Sequence, residues 1–190
     1  SQGLGRIRHV LGEQNQGFIR NCNNAAKHAL GRHLILLNND TIVMPGWLDE
    51  LIGTLDFNPD IGLAGSKLLY PDGRLQEAGG IIFEDGSGWN YGRMDEPRKP
   101  QYCYMRDADY VSGASIALRT EFWRTIGGFD EQFSVAYYED TDMAFRVRRA
   151  GLRVVVQPLS QLLHFEGISS GTDTSSGAKR YQVTNAAIFS

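Results

Sequence analysis

Apolar and polar positions along this chain alternate between two rhythms, one helical and one extended. Phe18, Cys22, Ala25, Ala26 and Ala29 recur at the spacing of one helical face, so a helix is predicted over Gly17–Leu30 with Gly31 as its stop. His33–Leu37 then runs almost wholly apolar before switching abruptly to Asn38-Asn39-Asp40. A short apolar run bounded in this way reads as a strand buried on both faces, as in parallel sheets. Pro45-Gly46 open a second helix with an apolar stripe of Trp47, Leu48, Leu51, Ile52 and Leu55, and Asn58-Pro59-Asp60 break it. Ile61–Leu69 reads as the next strand, and Tyr70-Pro71-Asp72-Gly73 as a tight turn.

Periodicity weakens from Gly79 to Arg106, a stretch rich in Gly, Pro and aromatics that reads as a long functional or mobile excursion. Regularity returns with a strand over Tyr110–Leu118, interrupted by Ser112-Gly113, and a helix over Thr120–Ile126 stopped by Gly127-Gly128. Asp140–Ala150 has acids at its start, Arg146, Arg148 and Arg149 at its end, and Gly151 where a left-handed cap is expected, which predicts a helix. Arg153–Gln157 and Leu162–Phe165 are strand-like, and Ile7–Leu11 suits a short strand. Beyond Gly167 the composition turns to Ser, Gly and Thr until Lys179, a flexible segment, with a short final helix over Tyr181–Phe189. Strands alternating with helices, without an internal repeat, predict an α/β domain over 1–166 followed by a tail over 167–190.

At 190 residues the chain suits one domain. Its net charge of −3 argues against a nucleic-acid partner, which a basic patch or stripe would announce. The longest apolar runs fall well short of the roughly 20 residues that a membrane-spanning helix needs, and Ser1–Gly5 lacks the apolar segment of a secretory signal. Cys22 and Cys103 show no metal-type spacing and suit a reducing compartment. The expected location is the cytoplasm, with peripheral attachment at the inner membrane face left open.

Three clusters carry candidate chemistry. Asn38-Asn39-Asp40 follows a predicted sheet strand, and in open α/β sheets ligands bind beyond the carboxyl ends of strands. A carboxylate there can hold a hard divalent cation, and the cation can hold phosphate oxygens; the triplet is also an ordinary turn sequence. Tyr137-Tyr138-Glu139-Asp140-Thr141-Asp142 crowds three carboxylates at a helix start. Each gains about 0.3–1 kcal/mol from the helix dipole, but their mutual repulsion offsets part of that gain, and a nearby cation or substrate hydroxyl would explain the crowding. His164 closes a strand; beside a carboxylate-held cation, neutral imidazole suits Mn2+. His9, His28 and His33 read as structural. In the excursion, Trp89, Tyr91, Tyr102 and Tyr104 suit either stacking on acceptor sugars or packing beneath the loop.

The order Gly17-Phe18, Asn24, Gly31, Leu36-Leu37-Asn38-Asn39-Asp40-Thr41, Pro45-Gly46-Trp47-Leu48 resembles the inverting family 2 glycosyltransferases of GT-A fold. So does Ser112-Gly113-Ala114, Phe122, Gly127-Gly128-Phe129-Asp130-Glu131, Tyr138-Glu139-Asp140-Thr141-Asp142, Arg146, Ala150-Gly151. The resemblance runs from Val10 to about Gly167 and is strongest to bacterial rhamnosyl- and related cell-surface sugar transferases. It implies a mixed, mainly parallel sheet flanked by helices and lacking the family's first strands, since the chain starts near what resembles their third. An exposed edge of this kind invites self-association, so a dimer or other edge-covered assembly is expected, and a monomer by light scattering would count against it.

By the same resemblance, Asn38-Asn39-Asp40 occupies the place of the Asp-x-Asp motif, with Asn38 replacing the first acid. Asp40 and His164 would hold Mn2+ or Mg2+ on the diphosphate of a nucleoside-diphosphate sugar, with Gly17, Asn24, Asn38 and Asn39 also on the donor side. Glu139-Asp140 matches the family's Glu-Asp pair, whose Asp, here Asp140, would be the catalytic base. Gly113 and Ala114, with Asp142, would line the pocket of a carbohydrate or lipid-linked acceptor. Inversion follows from a base opposite the leaving group, and a base of ordinary Asp acidity suffices. Two rivals stand beside this reading. A nucleotidyltransferase would want a glycine-rich basic loop that the chain lacks; a non-catalytic module would bind only a carbohydrate or protein partner.

Overall fold

The computed structural model describes Val10, residues 16–134 and 136–165, and Asn185, Ile188 and Phe189. The strand expected over Ile7–Leu11 and the flexible segment expected beyond Gly167 lie outside the described residues. Of the helix expected over Tyr181–Phe189, the three described positions are helical.

The first helix, α1 (Gly17–Ala26), is shorter than its apolar pattern suggested. Leu30 is 97% exposed, so nothing draws the chain on toward Gly31 as helix. Strand β1 (His33–Leu37) and strand β3 (Ile61–Leu69) lie where the apolar runs put them. Between them come a short strand β2 (Thr41–Val43), which no sequence signal announced, and helix α2 (Trp47–Phe57), entered through Gly46 at φ 80°. The turn after β3 leads into β4 (Leu75–Glu77). The excursion is built rather than loose: it carries a hairpin of β5 (Gly80–Ile82) and β6 (Gly88–Asn90), then the short β7 (Arg106–Asp107). Next come β8 (Ser115–Arg119), α3 (Thr120–Ile126), α4 (Glu139–Arg149) and β9 (Arg153–His164). Of the strand expected over Tyr110–Leu118, only the part after Ser112-Gly113 joins the sheet; Tyr110 makes an isolated bridge to Gly80.

Among the described residues the main sheet has the order β1-β8-β3-β9-β2, with β4 beside β3 and β7 beside β9. The sheet is mixed. β3 and β9 form a long parallel ladder, while β8 pairs antiparallel with both β1 and β3. It follows that β1, β3 and β9 all point one way, and their carboxyl ends share one side of the domain. β1 pairs only with β8 among the described residues, which explains why Leu34 alone of its residues is fully buried. The expectation of a strand covered on both faces fails there for that reason.

Alternation along the strands divides the core in two. Leu63, Ile116, Leu118, Val154 and Val156 face α1, α3 and α4, packing with Ile19, Trp123, Phe129, Met143 and Val147. Ala64, Ala117 and Val155 face the other way, onto Leu51 and Leu55 of α2. Beneath the start of α2 the core is polar. Trp47 Nε1 donates to Ser66 Oγ at 3.1 Å and Ser115 Oγ at 2.9 Å, Ser66 and Ser160 hydroxyls lie 2.8 Å apart, and Ser160 donates to Trp47 O at 2.9 Å. Without the indole donor Ser66 and Ser115 still hold each other at 2.7 Å, so Trp47→Phe should cost only the net worth of the lost bonds, about 0.5–1.5 kcal/mol in chemical denaturation; an unchanged midpoint would show the indole N–H to be dispensable.

β9 is one strand, where sequence showed two. Gln157 is level with Ser66 and Gln161 with Lys67, so residues 158–160 bulge out of the ladder. Pro158 falls inside that bulge, where its missing N–H costs no ladder bond.

Candidate active site

Because β1, β3 and β9 end on the same side, the segments that follow them converge. Asn38–Asp40 leaves β1, Gln76 and Glu77 return beside the end of β3, and His164 ends β9. Ser112–Ala114 lead into the antiparallel β8 from this side, and the N-terminus of α4 comes down onto it. Together with the β5–β6 hairpin they enclose a cleft of about 360 Å³ lined by Asn38, Asp40, Glu77, Trp89, Gly113, Glu139, Asp140 and His164, among others.

The donor set on one wall is a carboxylate and an imidazole. β2 lies beside the end of β9 with Thr41 level with His164, and Phe165 N donates to Asp40 O at 3.0 Å, which fixes the two side chains as neighbours. His164 Nε2 lies 3.4 Å from Asp40 Oδ1, and that buried oxygen has no hydrogen-bond partner. On the other side of the ring, Nδ1 sits 3.1 Å from Gln76 Oε1. An amide oxygen only accepts, so Nδ1 carries the proton, and in the neutral ring the Nε2 lone pair faces the carboxylate. Two electron-pair donors facing each other fit a cation between them, and an imidazole with a carboxylate suits Mn2+. Among the described residues no group of three or more His, Cys, Asp or Glu could hold a metal.

The first turn of α4 brings acids to the same cleft. Tyr137 and Tyr138 take left-handed φ of 78° and 69°, and Tyr138 caps α4 without a side-chain bond. Each such residue costs about 1–2 kcal/mol, and the turn they form sets the first turn of α4 against the cleft. Asp140 Oδ2 accepts Gly113 N–H at 3.1 Å and Oδ1 accepts Thr141 N–H at 2.7 Å. A Cβ on Gly113 would meet Phe18 and Asp140 at no less than 3.7 Å, so what this glycine supplies is its N–H rather than empty space. Gly80 is the opposite case: a Cβ there would fall inside the Tyr110 ring, whose hydroxyl donates to Asn90 at 2.6 Å in the cleft wall.

Burial pushes the Glu139 carboxyl up to about 8, with the neighbouring Asp140 charge adding to the rise. Burial also raises Asp140, against the pull of the Gly113 and Thr141 N–H groups, so its acidity is not that of an ordinary Asp. Glu139 Oε2 has no hydrogen-bond partner. The two environments separate the pair: Asp140, held by N–H donors, keeps the negative charge, and Glu139 keeps the proton.

Thus Asn38, Asp40, Gly113, Ala114, Glu139, Asp140 and His164 come together in one cleft. Gly17, Asn24, Asn39 and Asp142 do not line it. Gly17 opens α1, whose contribution to the wall is Phe18; Asn24 donates to Gln16 and accepts from Lys27; Asn39 is exposed. Asp142 is paired with Arg146 at 2.7 Å one turn along α4. Of the excursion's aromatics only Trp89, 53% exposed, lines the cleft. Tyr91 and Tyr102 pack edge-on at 5.2 Å, and Tyr104 stands in solvent. Gln76 and Glu77 were missed. Glu77, buried, accepts Ser112 N–H at 2.9 Å and so shapes the approach to Gly113. Their only sequence signal is a polar pair directly after a turn.

The family model described as Glycosyl transferase family 2 matches residues 1–144. The chain is 38% identical over 155 residues to the O-antigen biosynthesis protein RfbC of Myxococcus xanthus, a match covering 78% of this chain and 12% of that protein. It is 27% identical over 157 residues to the N-acetylglucosaminyl-diphospho-decaprenol L-rhamnosyltransferase of Mycobacterium tuberculosis (strain ATCC 25618 / H37Rv), covering 75% of this chain and 50% of that one. The chain therefore spans half or less of the length of these curated relatives. Among solved structures, GalNAc-T7 with UDP, GalNAc and Mn2+ superposes with a TM-score of 0.64 at 17% identity, over 80% of this chain and 31% of that one. The mannosyltransferase PcManGT from Pyrobaculum calidifontis, in complex with GDP-Man and Mn2+, gives 0.55 at 15% identity, over 82% and 38%. Both likenesses support a GT-A fold.

Proposed function

The chain belongs to glycosyl transferase family 2, and from that premise we propose that it transfers a sugar from a nucleoside-diphosphate donor to a hydroxyl acceptor with inversion at the anomeric carbon. The observation that carries this reading is the placement of the Asp40–His164 pair and Asp140 in the lining of one cleft. The fold neighbours holding UDP or GDP-Man with Mn2+ support it, as does the relative named as a rhamnosyltransferase on a diphospho-decaprenol-linked sugar.

In this reading Asp40 Oδ1 and His164 Nε2 hold Mn2+ or Mg2+ at the donor diphosphate. The cation, when bound, neutralises charge growing on the departing diphosphate. Asn38 stands beside the donor end of the cleft, with its own N–H committed to Ala114 O at 2.9 Å. Gln76 keeps the His164 ring in the tautomer whose Nε2 lone pair faces inward. Asp140 takes the proton of the acceptor hydroxyl as the new bond forms, and the N–H groups of Gly113 and Thr141 keep it ionised until then. Trp89 offers an apolar face to an acceptor sugar ring. The acceptor is a carbohydrate or a lipid-linked one, and the protein works in the cytoplasm, at the inner membrane face if the acceptor is lipid-linked. Among the described residues no helix is long and apolar enough to cross a membrane.

Calorimetric titration with UDP- and dTDP-sugars, with and without Mn2+, tests the donor half. Release of nucleoside diphosphate in the presence of a lipid-diphosphate sugar, with the product anomer read by NMR, tests the transfer. Metal-dependent heat and an inverted anomer are expected; no heat with any nucleotide sugar would favour the non-catalytic module.

A further inference from the structure

Asn185 has no part in the steps above, yet few side chains in this protein are more committed. It is 1% exposed, and its Nδ2 donates to Phe133 O at 2.8 Å, Ala136 O at 3.0 Å and Tyr137 O at 3.0 Å. A side-chain amide nitrogen has two protons to give, so three carbonyls share them, and all three belong to the short stretch that enters α4. Phe189, also helical, meets the same stretch from its own position. Its ring lies 5.5 Å from that of Tyr138 and 5.1 Å from that of Phe145.

The stretch they grip is the strained one. Tyr137 and Tyr138 hold left-handed backbones that bulky residues leave unless something over-determines them. Their conformation decides where Glu139 and Asp140 point, because they form the turn directly before the first turn of α4. Without donors for its inward carbonyls, this turn relaxes toward right-handed geometry and swings the carboxylates away from Gly113.

We propose that Asn185 is a positioning residue for the base: it holds the left-handed turn at Tyr137–Tyr138 that aims Asp140 into the cleft, and Phe189 clamps Tyr138 from outside. This rests on the reading of Asp140 given above. Carbonyl recognition by a buried amide needs its protons, and Asn185→Asp replaces the donating NH2 with an oxygen at nearly constant size, so that variant is the sharp test.

In the full chain, Asn185→Asp should lower turnover of the donor–acceptor pair about a hundredfold, the scale of a small misplacement at a reacting centre. Mn2+-dependent nucleotide affinity should be unchanged, and amide hydrogen exchange should quicken at 136–141 and not across the sheet. In an Asp140→Asn background the same change should cost nothing further, since the group being aimed is already gone. An equal loss in both backgrounds, or exchange quickening everywhere, would overturn the proposal by showing general destabilisation. Full turnover for Asp140→Asn alone would sink the base assignment instead, and the exchange pattern would still report on the grip of Asn185. Should Asn185→Asp not fold, Phe189→Ala carries the same test: quickened exchange confined to the turn supports the clamp, and unaltered exchange removes it.

Discussion

Replacing Asp140 with Asn should lower kcat by a factor of about a hundred to ten thousand, the range for loss of a positioned general base. Nucleotide affinity should survive, because the hydrogen bonds of Asp140 go to Gly113 and Thr141 and not to the Asp40–His164 pair. A calorimetric titration and a turnover assay on the same preparation separate the two effects; retained turnover would remove Asp140 from the chemistry.

The acid pair also sets a pH signature. The proposed transfer needs Asp140 ionised, and burial raises its carboxyl, so activity should climb with pH through a range above that of an ordinary Asp. Stability should move the other way. Glu139 is raised from 4.5 to about 8 in the folded chain, so the folded state binds its proton more tightly than the unfolded chain does. Its contribution is complete below about pH 4.5 and is lost as pH climbs through about 8. Glu139→Gln, which cannot ionise, should flatten that decline in denaturation midpoints measured between pH 5 and 9; an unchanged slope would place its origin elsewhere.

Asp40→Ala is expected to weaken Mn2+-dependent donor binding more than a hundredfold, beyond the roughly ten- to hundredfold typical of outer-shell groups. The change removes the carboxylate half of the protein's facing donor pair. Metal-independent binding of the nucleoside should change little. Mn2+ titration followed by EPR, with and without UDP, reads this without any need for turnover. An unaltered titration would show that the pair holds a proton, as an ordinary imidazolium–carboxylate contact, and no cation.

Much of this was legible from the chain alone, and the reasons differ by element. β1, β3 and α3 kept their predicted bounds because each is a short apolar run or stripe with Gly, Pro or Asn at its ends. α4 was visible through its charges, acids first and arginines last. β2 was not, because Thr41–Val43 is too short to show a period and exists as a strand only through the end of β9. β9 read as two strands because local pattern registers Pro158 as a break, whereas the ladder with β3 steps over it. The site divides in the same way. Asp40, Asp140 and His164 stand out in sequence as polar residues at the ends of predicted elements. Gln76, Glu77 and Asn185 acquire their roles only through partners 35 to 88 positions away, such as Asn185 with Phe133 or Gln76 with His164, and no local pattern encodes such a pairing.

The kink in β9 bears on which side chain comes to stand beside Asp40. The loop-out at 158–160 shifts the numbering of everything after it against β3, so that Leu163 stands level with Leu69 and the next residue crosses the rim beside Thr41. In a strand that ran straight from Gln157, Gln161 would stand at that height. Ser160 ties the detour to the interior through Trp47 O and Ser66. The buried serine thus serves as a spacer peg: far from the chemistry, it selects imidazole over amide at the mouth of the pocket.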